Sequence, residues 1–82
     1  MQKLRNVQAF GANIRALRIA ADMTQEQVAA KLQVAGFDVS RSIYSQMECG
    51  TYNIRVDELA TLKRIFSCSY DDFFHEIGTE TK

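Results

Sequence analysis

Arg41, Ser42, Ser45 and Gln46 are the side chains in this 82-residue chain whose types and spacing suggest a chemistry. At about 100° per residue they fall on one side of a helix near residues 41–49, opposite Tyr44 and Met47, with Ile43 on the flank. That polar side carries no carboxylate. Arginine can donate twice to guanine O6 and N7, glutamine can pair with adenine N6 and N7, and small serines let a helix approach a groove floor. The edges of DNA bases suit these four residues. A solvated helix face suits them equally well, and on composition alone it is the commoner case.

Other chemistries are poorly served. Cys49 and Cys68 stand 19 residues apart, form no C-x-x-C pair and have only His75 as a further soft ligand. No metal site or cofactor is therefore expected. In a reducing compartment the two cysteines are expected as free thiols rather than a disulfide. No nucleophile–base arrangement and no phosphate-cradling glycine loop is visible, so the chain does not read as an enzyme. His75 is expected on the surface near a helix C-terminus.

The length leads to the expectation of a single domain over residues 1–82, and a small-molecule sensor is not expected. At 46% hydrophobic and 24% charged the composition is ordinary for a globular chain and argues against a disordered tail. Ten basic and ten acidic residues exclude a polybasic binder, though not a local basic face. Charge is indeed uneven. Lys3, Arg5, Arg15 and Arg18 stand without an acid in residues 1–21, whereas Asp71, Asp72, Glu76 and Glu80 face only Lys82 in residues 70–82. No run of about 18 apolar residues exists to span a membrane. The start of the chain lacks the apolar stretch of a secretory signal, so a cytoplasmic, nucleoid-associated location is expected.

Helical periodicity runs throughout. Val7, Phe10, Ile14, Leu17 and Ala21 recur at steps of three and four, which predicts a first helix near 6–21. Thr24 and Gln27 form a capping-box pattern opening a second helix from Gln25 to about Val34, with Val28, Ala29 and Leu32 buried. Ala35-Gly36-Phe37-Asp38 reads as a turn. Ser40 is a good N-cap for the helix over 41–49, and Gly50 a good left-handed stop. A fourth helix over about 56–66 has Asp57 and Glu58 in its first turn and Lys63 and Arg64 in its last, as the helix dipole favours. Ser69 and Asp72 open a short fifth helix, 70–76, with flexible ends expected at about 1–5 and 77–82. The fold class is all-α, five helices and no strand.

The stretch from Ile14 to Phe74 resembles the Cro/repressor-like helix-turn-helix family, the xenobiotic-response-element type. The matching residues are Gly11, Ile14-Arg15-x-Leu17-Arg18 and Met23-Thr24-Gln25-Glu26-Gln27-Val28-Ala29. They continue with Val39-Ser40-Arg41-Ser42-x-Tyr44-Ser45-x-Met47-Glu48-x-Gly50, then Leu59-Ala60-x-Leu62 and Ser69-Tyr70-Asp71-Asp72-Phe73-Phe74. The resemblance implies a lambda-repressor-like domain with its motif at about 24–50, the second helix lying across the DNA backbone and the third entering the major groove. It implies base reading by Arg41, Ser42, Ser45 and Gln46, and backbone contacts by Thr24 and Gln25. Glu48, an acid in the last turn of a helix, opposes the dipole and calls for a cation. The resemblance supplies Arg18 as its structural partner.

Three departures from the family pattern stand out. About five extra residues lie between Leu32 and Val39, so a longer second helix and a looser connection are expected. Thr51 and Tyr52 replace the usual basic residues after Gly50, leaving Thr51 and Arg55 as the backbone contacts on that side. Ile54 occupies the usual proline position. The expected function is a sequence-specific DNA-binding transcriptional regulator, a repressor acting as a homodimer on an inverted repeat of double-stranded DNA. Tyr70, Phe73 and Phe74 are candidates for the contact between subunits, with core packing as their other reading. The alternative is a protein-interaction module, such as an antitoxin or anti-regulator, that binds a protein partner through the acidic C-terminal end.

Overall fold

The computed structural model describes residues 2–75, with side chains from residue 9 onward. Five helices follow one another: α1 (Gln2–Ala20), α2 (Gln25–Val34), α3 (Arg41–Cys49), α4 (Val56–Phe66) and α5 (Tyr70–Phe73). No strand occurs among the described residues. Helix α1 begins four residues before the start that periodicity indicated, and α5 closes after a single turn, three residues short of the expectation. The expected end at 77–82 lies outside the described residues, as does the side chain of Val7.

The helices stop without a proline because each of the first four runs into a left-handed residue. Asp22 (φ 60°), Gly36 (φ 104°), Gly50 (φ 79°) and Ser67 (φ 54°) occupy these positions. In every case the next N–H turns back to a carbonyl five residues earlier: Met23 to Arg18, Phe37 to Leu32, Thr51 to Gln46 and Cys68 to Lys63. This is the Schellman closure, which satisfies carbonyls that the last helical turn leaves unpaired. Helix starts are equally well defined. Thr24 and Ser69 each accept from, and are repaid by, the residue three positions on, and Ser40 Oγ accepts from the Ile43 N–H at 3.2 Å.

The core contains Ile14 from α1, Val28, Ala29 and Leu32 from α2, Val39, Tyr44 and Met47 from α3 and its approach, Leu62 and Phe66 from α4, and Phe73. Burying such side chains contributes about 1.5–3 kcal/mol each for the larger aliphatic and aromatic residues. Phe73 is fully buried, so it belongs to the core and is not open to a second subunit, whereas Tyr70 and Phe74 remain about half exposed. Hydrogen bonds and ring contacts fasten α5 and the turn after it to α1. Asn13 Nδ2 donates to the carbonyls of Phe73 (2.8 Å) and His75 (3.0 Å), and the Phe10 ring lies 5.2 Å from that of Phe74.

The connection between α2 and α3 is not loose. Phe37 packs against the core, Val39 is buried, and Gln33 Nε2 donates to the Val39 carbonyl at 2.9 Å. The extra residues form a Schellman turn followed by two apolar anchors. Helix α3 is thus tethered at its start, despite the longer path.

Helix α1 crosses the end of α3 at Gly11, and only a residue without Cβ fits there. A Cβ at Gly11 would lie 2.5 Å from the Glu48 carbonyl oxygen and 2.9 Å from that of Met47.

Candidate nucleic-acid interface

Helix α3 is divided lengthwise. Tyr44, Met47 and Glu48 are buried, Ile43 is half-buried, and Arg41, Ser42 and Gln46 are exposed, with Ser45 half-buried beside them. The inner side is wedged against α1 and α2 and leaves the arginine, the glutamine and the two serines together on the outer side. Nine residues span about 13 Å, close to the width of a DNA major groove, about 12 Å.

Beneath this helix lies a polar cluster. Arg18 Nε donates to Glu48 Oε2 at 2.6 Å and its Nη2 to Oε1 at 3.3 Å, while Nη1 donates to the Met23 carbonyl at 2.9 Å. The side chains of the pair are 13% and 4% exposed. Gln25 Nε2 adds a third donor to Glu48 Oε1 at 3.0 Å. Helix α1, the turn after it, the start of α2 and the end of α3 are thereby joined through one carboxylate. Burial alone would raise the Glu48 carboxyl, but the Arg18 bond, the neighbouring Tyr44 hydroxyl and Gln25 outweigh it and hold the group below its ordinary value. The same bond to Glu48 holds the Arg18 guanidinium above its ordinary value. Tyr44, whose buried hydroxyl has no hydrogen-bond partner of proper geometry, is pushed up by burial and then by the nearby carboxylate.

Gln25 therefore has an intramolecular partner as well as a place at the start of α2. Its amide reaches Glu48 because the two helices cross there, a proximity that no local pattern in the sequence reveals. Gln25 also lines an open cleft of about 400 Å³ together with Arg18, Met23, Thr24, Glu26 and Arg41. The cleft brings Thr24 and Gln25 beside Arg41, at the start of α3. Glu26, not singled out from the sequence, is the one acid on its wall.

At the other end of α3, Thr51 is exposed and its hydroxyl lies 3.4 Å from the Gln46 carbonyl. Arg55 is also exposed, its Nε 3.7 Å from Asp57 Oδ1. Tyr52 is turned away: its hydroxyl donates to the buried Glu58 at 2.9 Å, which raises the tyrosine above its ordinary value. Glu58 also accepts from the Arg55 N–H at 2.9 Å, securing the start of α4 without the proline usual before it. Cys49 and Cys68 are free thiols, and no group of three or more metal-ligating side chains is found among the described residues. No helix among the described residues is long and apolar enough to cross a membrane.

A capped helix, a fixed connection and a second helix with its polar side outward, both braced by a third, define a helix-turn-helix unit of the kind that binds DNA. Residues 14–73 match the helix-turn-helix family. The chain belongs to that family, in its Cro/repressor-like, xenobiotic-response-element branch, and is a DNA-binding regulator of that class. Neither the curated proteins nor the solved structures yield a match.

Proposed function

We propose that this protein is a transcriptional repressor that binds an inverted-repeat operator as a homodimer through a single domain, with α3 in the major groove. Arg41, Ser42, Ser45 and Gln46 read base edges. Thr24 and Gln25 on one side, and Thr51 and Arg55 on the other, hold the sugar–phosphate backbone. The observation that carries this reading is the division of α3: its inner side is locked by Tyr44, Met47 and the Arg18–Glu48 pair, and its outer side offers a guanidinium, an amide and two small hydroxyls without a carboxylate. Arg18 and Glu48 act by fixing the recognition helix and touch no base.

Two copies would set their α3 helices about 34 Å apart, one turn of duplex. Tyr70 at the start of α5 and Phe74 just after its end, both about half exposed, are the surface assigned to the subunit contact. With zero net charge and few cations near α3, binding loses affinity only gradually as salt rises.

Selection from a pool of randomised duplexes tests the proposal. Enrichment of a two-fold symmetric motif with half-sites about 10 base pairs apart supports it. Absence of enrichment at low salt refutes it and favours an interaction module acting through the acidic end, of which Asp71 and Asp72 are exposed on α5.

A further inference from the structure

A second concavity, about 350 Å³, opens where the last turn of α2 meets α4, and none of its lining residues is among those assigned to DNA or to the partner subunit. Lys31, Val34, Ala35, Thr61, Arg64 and Ile65 line it. Val34 is 89% exposed, an aliphatic side chain held in water at the end of a helix, and Ile65 is half-buried beneath the same opening. The Thr61 hydroxyl is already committed to the Asp57 carbonyl at 2.9 Å. The charged groups in the lining are both cationic. Among the described residues neither Lys31 nor Arg64 has an ion-pair partner.

An apolar lining with two unneutralised cations is complementary to a ligand that carries carboxylates and aliphatic groups together. A DNA backbone supplies the anions but has nothing to cover Val34. Position also matters. Lys31 lies about 9 Å and Val34 about 13 Å along α2 from Gln25, at the opposite end of the helix from the cleft shared with Arg41.

We propose that this groove docks an acidic, aliphatic-bearing segment of a partner protein. Its carboxylates pair with Lys31 and Arg64, and one or two aliphatic side chains cover Val34 and Ile65. The surface is small, so the contact is of the transient kind, and it leaves α3 free. A regulator held on DNA by α3 could thus recruit or be recruited by a second protein.

The test titrates the isotopically labelled full chain with a synthetic acidic helical peptide of about 16 residues built from glutamate and leucine, long enough to hold a marginal helix. The expected result is amide shifts at Lys31, Val34, Ala35, Arg64 and Ile65. Affinity should fall at least about tenfold in Lys31→Gln with Arg64→Gln, and again in Val34→Glu. A control peptide with glutamine for glutamate should not bind. All three positions are at the surface, and circular dichroism checks that the variants fold as the parent does. Shifts confined to α3, affinity indifferent to these substitutions, or no shift at millimolar peptide overturn the proposal. So do the same shifts appearing without peptide as protein concentration rises, which assigns the groove to self-association. Displacement of the peptide from the groove by DNA, with shifts there from DNA alone, assigns it to nucleic acid and also overturns it. None of these outcomes depends on whether α3 selects an operator.

Discussion

Replacing Arg18 with alanine removes three donors at once: two to Glu48 and one to the Met23 carbonyl. Glu48, with a side chain only 4% exposed, then keeps Gln25 as its remaining close donor. Breaking a buried ion pair from one side costs about 3–5 kcal/mol, because the surviving charge stays buried without its counter-ion. The lower end applies here, since Gln25 still compensates in part. A domain of this size has a total stability of roughly 4–12 kcal/mol. A loss of about 3 kcal/mol should lower the melting temperature by roughly 12–24 °C.

The loss should depend on pH with a definite sign. In the parent protein the folded-state Glu48 sits below its ordinary value, so its contribution is complete above about pH 4.3 and is lost as pH falls through the lowered folded value. Without Arg18 burial dominates, the carboxyl protonates more readily, and acid relieves the variant. The stability gap should therefore narrow below about pH 4. Replacing both partners with apolar residues, Arg18→Met with Glu48→Leu, should recover most of the loss. Thermal and urea unfolding followed by circular dichroism between pH 3 and 7 measures each quantity. An unchanged melting temperature, or a gap independent of pH, refutes the bracing role of the pair.

Further substitutions separate fold from recognition. Gly11→Ala should cost about 1–3 kcal/mol in urea unfolding, because the added carbon meets the backbone of α3 and neither side can yield without moving a helix; a neutral result would show that the crossing is looser than described. Asp22→Gly should stabilise by up to about 1 kcal/mol, since glycine adopts the left-handed stop after α1 without strain; a lower melting temperature would mean that the aspartate side chain contributes locally. Arg41→Ala should leave the melting temperature within experimental error, because the side chain is exposed, and weaken binding to the selected duplex by about 1–3 kcal/mol. Equal weakening on all sequences would reassign Arg41 to phosphate.

Much of the fold is legible in the chain because it is encoded locally. The α2, α3 and α4 boundaries follow from Thr24, Ser40, Gly50 and the apolar spacing. The two stops at Asp22 and Ser67 are not, because neither residue has glycine's freedom and each adopts its left-handed conformation in context. Helix α5 is shorter than its pattern because Phe73 must reach the core while Asn13 caps the end. Asp72 and Ser69 could be read from the sequence; Asn13, 60 residues from Phe73, could not. The division of α3 into inner and outer sides was visible as periodicity. The link from Gln25 to Glu48, the seat of Tyr52 against Glu58 and the anchoring of Phe37 all depend on tertiary proximity.

Base readout by the outer side of α3 is tested most directly by repeating the duplex selection with Gln46→Ala. The exposed amide is assigned to one base pair in each half-site, so the variant should yield the parent motif with preference relaxed at that position alone, symmetrically in both halves. A motif identical to the parent's, from a variant that folds and binds normally, would contradict the placement of α3 in the major groove.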